Sequence, residues 1–328
     1  IFFNFSIISV IFFYKCLLIK FKTVPNNYLF LLSLIFFLSP IFRSLSVWPD
    51  SRIIGFHFFV ISVFYYLKYF NQEKKISNCY LNVIFLAIAS YFSINFCLFG
   101  IFFFYKFYKD LIKNKKLIIY LILNFVLAFP AYYYLFILDV FFIDPGLTPG
   151  NEINSLGIKN NFNYANKILI LSSIVFFYLI PFFNYFKDYF LLKHINFKEI
   201  TFLLIFSAIN IHLFNYDLFF TGGGIFFKIS NLVFNNNLLF FVISTYSMFF
   251  IYVLLIKRKN IDNILVLLII ILTNPQLTIY HKYYDPLLIF LIFTIFDLKF
   301  SKKYFNLLPV RFLGYWEVSW PCRPSKSS

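Results

Sequence analysis

Residues 79–105 read CYLNVIFLAIASYFSINFCLFGIFFFY, and the number of times this stretch crosses a bilayer decides the topology of everything after it. It lies between two lysine clusters, Lys74/Lys75 and Lys106/Lys109/Lys113/Lys115/Lys116. A spanning helix needs about 20 apolar residues, so the stretch is too long for one upright helix and too short for two full spans. A single crossing would put the later lysine clusters on the face opposite the earlier ones, against the positive-inside rule. A broken pair of short helices that turns back near Ser93–Ile94–Asn95 keeps them all on one face. Non-helical backbone at membrane depth is tolerated where protein buries it or it lines a cavity. Residues 79–105 are therefore expected to form a re-entrant helix pair.

The flanking sequence is that of an integral membrane protein. Of 328 residues, 61% are hydrophobic, 25% aromatic and 13% charged, and the mean hydropathy is +0.81. Polar breaks divide the apolar runs into nine expected spans: Ile1–Ile19, Tyr28–Phe42, Ile53–Phe70, Leu117–Leu138, Ile168–Tyr185, Ile200–Tyr216, Asn237–Ile256, Ile261–Thr273 and Pro286–Phe296. The fold class is thus all-α, a polytopic helix bundle of about nine spans plus the re-entrant pair. Residues 1–307 form the bundle and residues 308–328 a polar tail to which no role is assigned. The net charge of +16 does not point to nucleic acid, because the cations fall in short clusters between apolar runs. Besides the two clusters named, Lys68, Lys187/Lys193/Lys198, Lys257/Arg258/Lys259 and Lys299/Lys302/Lys303 are expected on the cytoplasmic face. The loops around Trp48, Val140–Ala165, Asp217–Phe234 and Asn274–Asp285 are expected on the other. The 54 Phe and 25 Tyr, with abundant Ile, Lys and Asn, fit an AT-rich coding sequence, so aromatic density says little about function. Four cysteines show neither paired nor zinc-ligand spacing. The first residue is Ile, inside an apolar run. We read the chain as lacking its N-terminus, and Ile1–Ile19 as a span rather than a signal peptide.

Ser39–Arg52, SPIFRSLSVWPDSR, interrupts this apolar background with Arg43, Asp50, Arg52, Trp48 and two prolines. Two readings stand. Arg43 and Arg52 snorkel to headgroups while Trp48 joins an aromatic belt, or the cation–carboxylate–cation group meets an anionic lipid-linked ligand. The other non-basic loops add His57, Asp144, Glu152, Asp217, Lys228, His281, Lys282 and Asp285. Ionisable chemistry gathered at one face favours an interfacial reaction over ion passage, which places carboxylates in mid-span. Guanidinium groups hold phosphate bidentately, and a carboxylate or His near an acceptor hydroxyl serves as general base. Thr221–Gly224 has three glycines but no preceding strand, so it reads as a turn rather than a nucleotide loop. No internal repeat and no soluble-enzyme motif competes.

In order and type, SPIFRS and WPDS, then ASYFSINFCLFGIFFFYKFY, then YHKYYDPLLIF at the last helix resemble the C-fold (GT-C type) glycosyltransferases. These are polytopic enzymes that use polyprenyl- or dolichyl-phosphate sugars. The similarity covers residues 1–300 in pattern more than in identities. It implies an outward site that holds lipid phosphate with basic residues and activates an acceptor with an acid. Asp50 then matches the second acidic position, and His281 and Lys282 the basic pair near the phosphate, with Arg43, Arg52 and Asp285 around them. The principal acid falls upstream of residue 1, and the chain as it stands is expected to be inactive. The implied partners are a polyprenyl-phosphate-linked sugar, a glycan or lipid acceptor and the bilayer of a bacterial inner membrane or the endoplasmic reticulum. The need for a divalent metal stays open. The alternative function is a polysaccharide polymerase, flippase or transporter.

Overall fold

The computed structural model describes residues 2–48, 50–112, 114–138, 163–180, 196–216, 222–257, 260–274 and 279–298. The polar tail, Asp144, Glu152, Asp217 and the clusters Lys187/Lys193 and Lys299/Lys302/Lys303 lie outside them.

Apolar runs become helices and their polar breaks become caps. Helix α1 (Phe2–Lys20) is followed by α2 (Asn26–Ser33), α3 (Ile35–Leu38) and α4 (Pro40–Val47). Pro40 disfavours helical backbone at the residue before it. Ser39 is accordingly extended, at φ −65° and ψ 119°, and its hydroxyl caps α4 by accepting from the Phe42 amide. The run from Asn26 to Val47 is thereby bent by 71°. Asp50 caps α5 (Ser51–Asn71), accepting from the Arg52 amide. Then come α6 (Ile76–Phe92), a 3-10 turn at Ile94–Phe96, α7 (Phe99–Leu111) and α8 (Lys116–Phe136). The stretch expected to break near Asn95 does break there, although α6 starts before residue 79 and α7 continues beyond 105. Gly55 lets α5 approach this turn: a Cβ there would stand 3.0 Å from Ser93 Cβ and 3.2 Å from the Ala89 carbonyl oxygen.

The later part contains α9 (Tyr164–Leu179), α10 (Phe197–His212), α11 (Gly224–Phe234), α12 (Leu238–Ile251, continued by a π-turn at Tyr252–Ile256), α13 (Ile261–Leu272) and α14 (Leu287–Thr294). Three consecutive glycines with positive φ, Gly222–Gly224, lead into α11. A side chain at Gly222 would collide with the Ile279 carbonyl oxygen at 2.7 Å, so only glycine suits that approach.

Among the described residues, four helices are long and apolar enough to cross a membrane: Phe2–Lys20, Ser51–Asn71, Lys116–Tyr134 and Leu238–Ile256. The bent pair Asn26–Leu38 and Pro40–Val47 makes a fifth if counted as one span. Four of the nine expected spans instead contain helices of 16 residues (Tyr164–Leu179 and Phe197–His212), 12 residues (Ile261–Leu272) and 8 residues (Leu287–Thr294).

Aromatic packing ties the first helices to the last. Phe13 of α1 stacks on Phe36 of α3 at 4.5 Å, and Phe290 of α14 packs edge-on against Phe13 and Phe56. Phe59 of α5 stacks on Phe96 in the α6–α7 turn at 4.7 Å. These rings are almost fully buried, and between helices in a bilayer such packing acts through van der Waals contact rather than through removal from water.

Direct contacts show which helix ends lie together. At one end, Lys22 donates to the Asn71 carbonyl, and Lys74 pairs with Asp110, which also accepts from the Tyr69 hydroxyl. Lys106 pairs with Asp262 at 2.6 Å and Lys257 with Glu199 at 3.2 Å. The α6–α7 pair therefore leaves and returns to one end, and the lysine clusters at residues 74, 106 and 257 adjoin it. The other end carries α4, the α6–α7 turn and residues 279–285. If this polarity is right, a cysteine at Val47 and one at Asn114, in a cysteine-free background, should label from opposite sides of the membrane with an impermeant reagent. Labelling of both from the same side would overturn it.

Candidate functional site

Two stretches far apart in sequence meet at the end away from the lysine clusters. The Asp285 Oδ2 atom accepts from the Ser39 hydroxyl at 2.5 Å, in a buried contact. The Arg52 guanidinium lies 5.7 Å from the Tyr283 ring centre. The Lys282 ammonium stands 4.4 Å from the centre of Tyr280 and 5.7 Å from that of Tyr283, and the two tyrosine rings meet edge to face at 5.5 Å. Two cations thus flank Tyr283, in the cation–π range of about 6 Å.

Asp50 belongs to this group but is strongly engaged. Its Oδ1 accepts from the Arg52 amide at 2.9 Å, and both carboxylate oxygens accept from Arg52 Nε at 2.9 Å. The hydrogen bond from the Arg52 side chain holds the Asp50 carboxyl below the usual carboxylate range, against its partial burial, and Lys282 adds a smaller pull in the same direction. Asp50 therefore stays a carboxylate into acid conditions. Arg52, in turn, is neutralised by the residue two positions before it. Arg43 is exposed on α4, and its guanidinium makes no hydrogen bond or ion pair among the described residues. Lys282 is exposed too and makes no ion pair among the described residues. Among the described residues no three His, Cys, Asp or Glu side chains gather as a metal-ligand group.

Behind this surface lies a buried polar layer. Tyr178, in the last turn of α9, shares a 2.7 Å hydrogen bond with His281 Nε2. Burial, and to a lesser extent Lys228, holds the His281 imidazole below its ordinary pKa, so it is neutral at pH 7. At the other end of α9, the buried Lys167 ammonium donates to the Thr273 and Asn274 carbonyls at the end of α13. Asn274 also donates its amide to Asn95 Oδ1 at 3.0 Å, which joins the α6–α7 turn to this layer.

The expected site residues are thus partly brought together. Asp50, Arg52, Lys282 and the Asp285 turn converge, and Arg43 stands apart on the outer side of α4. His57, counted among the loop residues, is a correction: it lies inside α5, 4% exposed, with Nδ1 3.1 Å from the Ser9 hydroxyl. Nearly two turns into α5, an apolar helix face has already closed over it. Ser39, Tyr178, Tyr280 and Tyr283 escaped the sequence reading, though Tyr280 and Tyr283 flank His281 and Lys282 in the quoted segment. No family model, curated protein or solved structure matches this chain.

Ser39→Ala removes both the α4 cap and the buried partner of Asp285. It is expected to cost about 1–3 kcal/mol, read as a lower melting temperature of the purified protein in detergent. Arg43→Ala, at an exposed position, is expected to stay within about 0.5 kcal/mol of wild type. Equal melting temperatures for the two variants would show that the Ser39–Asp285 contact carries no weight.

Proposed function

We propose that this chain belongs to a membrane glycosyltransferase. It would transfer a sugar from a polyprenyl-phosphate-linked donor to a glycan or lipid acceptor at the membrane face away from the lysine clusters. One observation carries the reading: Asp50–Arg52 and Tyr280–Asp285, remote in sequence, build one group of cations, carboxylates and tyrosines at that end of an apolar bundle. The nine-span C-fold arrangement is part of the proposal, as are the roles given to individual residues.

In this reaction the acceptor oxygen attacks the anomeric carbon and gives up its proton to a general base other than Asp50, while the bond to the phosphate oxygen breaks. Negative charge then grows on the lipid phosphate. Cations held in place before reaction stabilise such charge without the cost of reorganising water. Lys282 is the first choice for this task, because Tyr280 and Tyr283 position its ammonium and no carboxylate pairs with it among the described residues. Arg52 is braced by Asp50 and Tyr283, which fixes its plane for a bidentate contact. Asp50, ionised and oriented, is placed to align the acceptor.

The test is sugar transfer from radiolabelled polyprenyl-phosphate sugar, in membranes containing the full-length protein at matched expression. Lys282→Ala is expected to slow transfer on the order of a hundredfold, Arg52→Ala and Asp50→Asn to impair it, and Lys115→Ala, among the lysine clusters, to leave it unchanged. Wild-type turnover in all three site variants would return these side chains to headgroup anchoring. No transfer by the wild type from any lipid-phosphate donor would favour a polymerase, flippase or transporter.

A further inference from the structure

Asp285 is only 2% exposed, and α14 begins two residues after it with an almost wholly buried apolar run, Leu287–Thr294. An ionised carboxylate offers about four acceptor positions. Here the short bond from Ser39 serves Oδ2, while Oδ1 is buried with no hydrogen-bond partner among the described residues. Among the described residues no cation pairs with Asp285. The Arg52 guanidinium is committed to Asp50, the Lys282 ammonium stands over Tyr280, and Lys228 acts on His281. The groups that face the carboxyl are neutral: the Ser39 hydroxyl from the α3–α4 link and the Tyr178 hydroxyl from α9. A buried carboxyl with uncharged neighbours is far cheaper protonated than ionised.

We infer that Asp285 is a proton-binding site whose protonated form latches the Ser39–Arg52 stretch onto the turn at residues 281–285. Ser39 is the hinge point of that stretch, since the same oxygen accepts from the Phe42 amide and caps α4. Loss of the proton leaves an uncompensated buried anion, and drawing in water or one of the neighbouring cations requires the stretch to move. Burial raises the Asp285 pKa to about 7, against the opposing pull of the Ser39 and Tyr178 hydroxyls. An opened, solvated carboxyl has an ordinary pKa near 4. The latch is therefore at full strength below about pH 4 and weakens as the pH rises through about 7. The inference holds whether or not the chain transfers sugar.

Hydrogen exchange of the α4 amides tests it, on the intact protein in lipid nanodiscs between about pH 5 and pH 9, with intrinsic exchange rates divided out. Wild-type protection is expected to fall by up to roughly tenfold per pH unit between about pH 5 and pH 7 and to level off above neutrality, where both the latched and the open carboxyl are ionised. Asp285→Asn keeps an acceptor for Ser39 but cannot ionise, so its protection should be constant. Ser39→Ala should be poorly protected throughout. A flat wild-type profile, or a fall that Asp285→Asn retains, overturns the latch. Infrared titration of the wild type alone gives an independent answer. A protonated-carboxyl band that disappears around neutrality supports the site, and its absence at about pH 5 overturns it.

Discussion

The buried contact between Ser39 and Asp285 is the constraint on which the non-basic end of this molecule depends. It joins the link between α3 and α4 to the entrance of α14, segments separated by most of the chain. Neither partner is satisfied alone. Ser39 needs an acceptor for its proton while its oxygen caps α4, and Asp285 needs a donor because the apolar start of α14 excludes water. Aromatic rings on both sides, Phe36 and Phe42 from one segment and Phe290 from the other, hold the two close enough to meet. With that contact made, Arg52 is carried to Tyr283, and one surface of cations, carboxylates and tyrosines arises from two stretches remote in sequence.

A different logic operates at the lysine end. There, charges stay near water and pair across helices, as in Lys74–Asp110 and Lys106–Asp262. Partly exposed pairs of this kind contribute little stability, typically below about 1 kcal/mol. Their value is in register: they specify which helix ends share a side. The ion pairs at that end are thus inexpensive and screened, whereas the Ser39–Asp285 contact at the other is desolvated and costly. The second kind is where ligand chemistry is usually found.

Much of the fold was legible because membrane constraints are blunt. Lysine clusters and apolar runs located the helices, and counting residues between clusters placed the break near Asn95. Helix lengths were less legible. In Tyr28–Phe42 the hydropathy runs on, yet Pro40 forces Ser39 out of helical geometry and the run bends. For the site, Asp50, Arg52 and Lys282 stood out because charge is rare in this chain. Tyr178, Tyr280 and Tyr283 did not, being three among 25 tyrosines, and only the packing of α9 and the 281–285 turn distinguishes them. Ser39 was hidden differently. A serine before proline reads as a helix cap, which it is, and nothing local reveals that its proton serves a carboxylate 246 positions later.

The lysine that ends α1 has a consequence for biosynthesis. Lys20 Nζ donates to the carbonyls of Thr294 and Phe296 at 2.8 and 2.7 Å, where α14 ends. A helix C-terminus is where unpaired carbonyls attract a cation. Of these partners, α1 leaves the ribosome first and α14 follows some 274 residues later. Throughout that interval the ammonium has no carbonyl to bind, and the early helices must wait in the membrane with this position open to water or headgroups. A chain stopped short of Thr294 keeps α1 packed on α3, α4 and α5 through Phe13, Ser6 and Ser9 but leaves the Lys20 ammonium without these carbonyls.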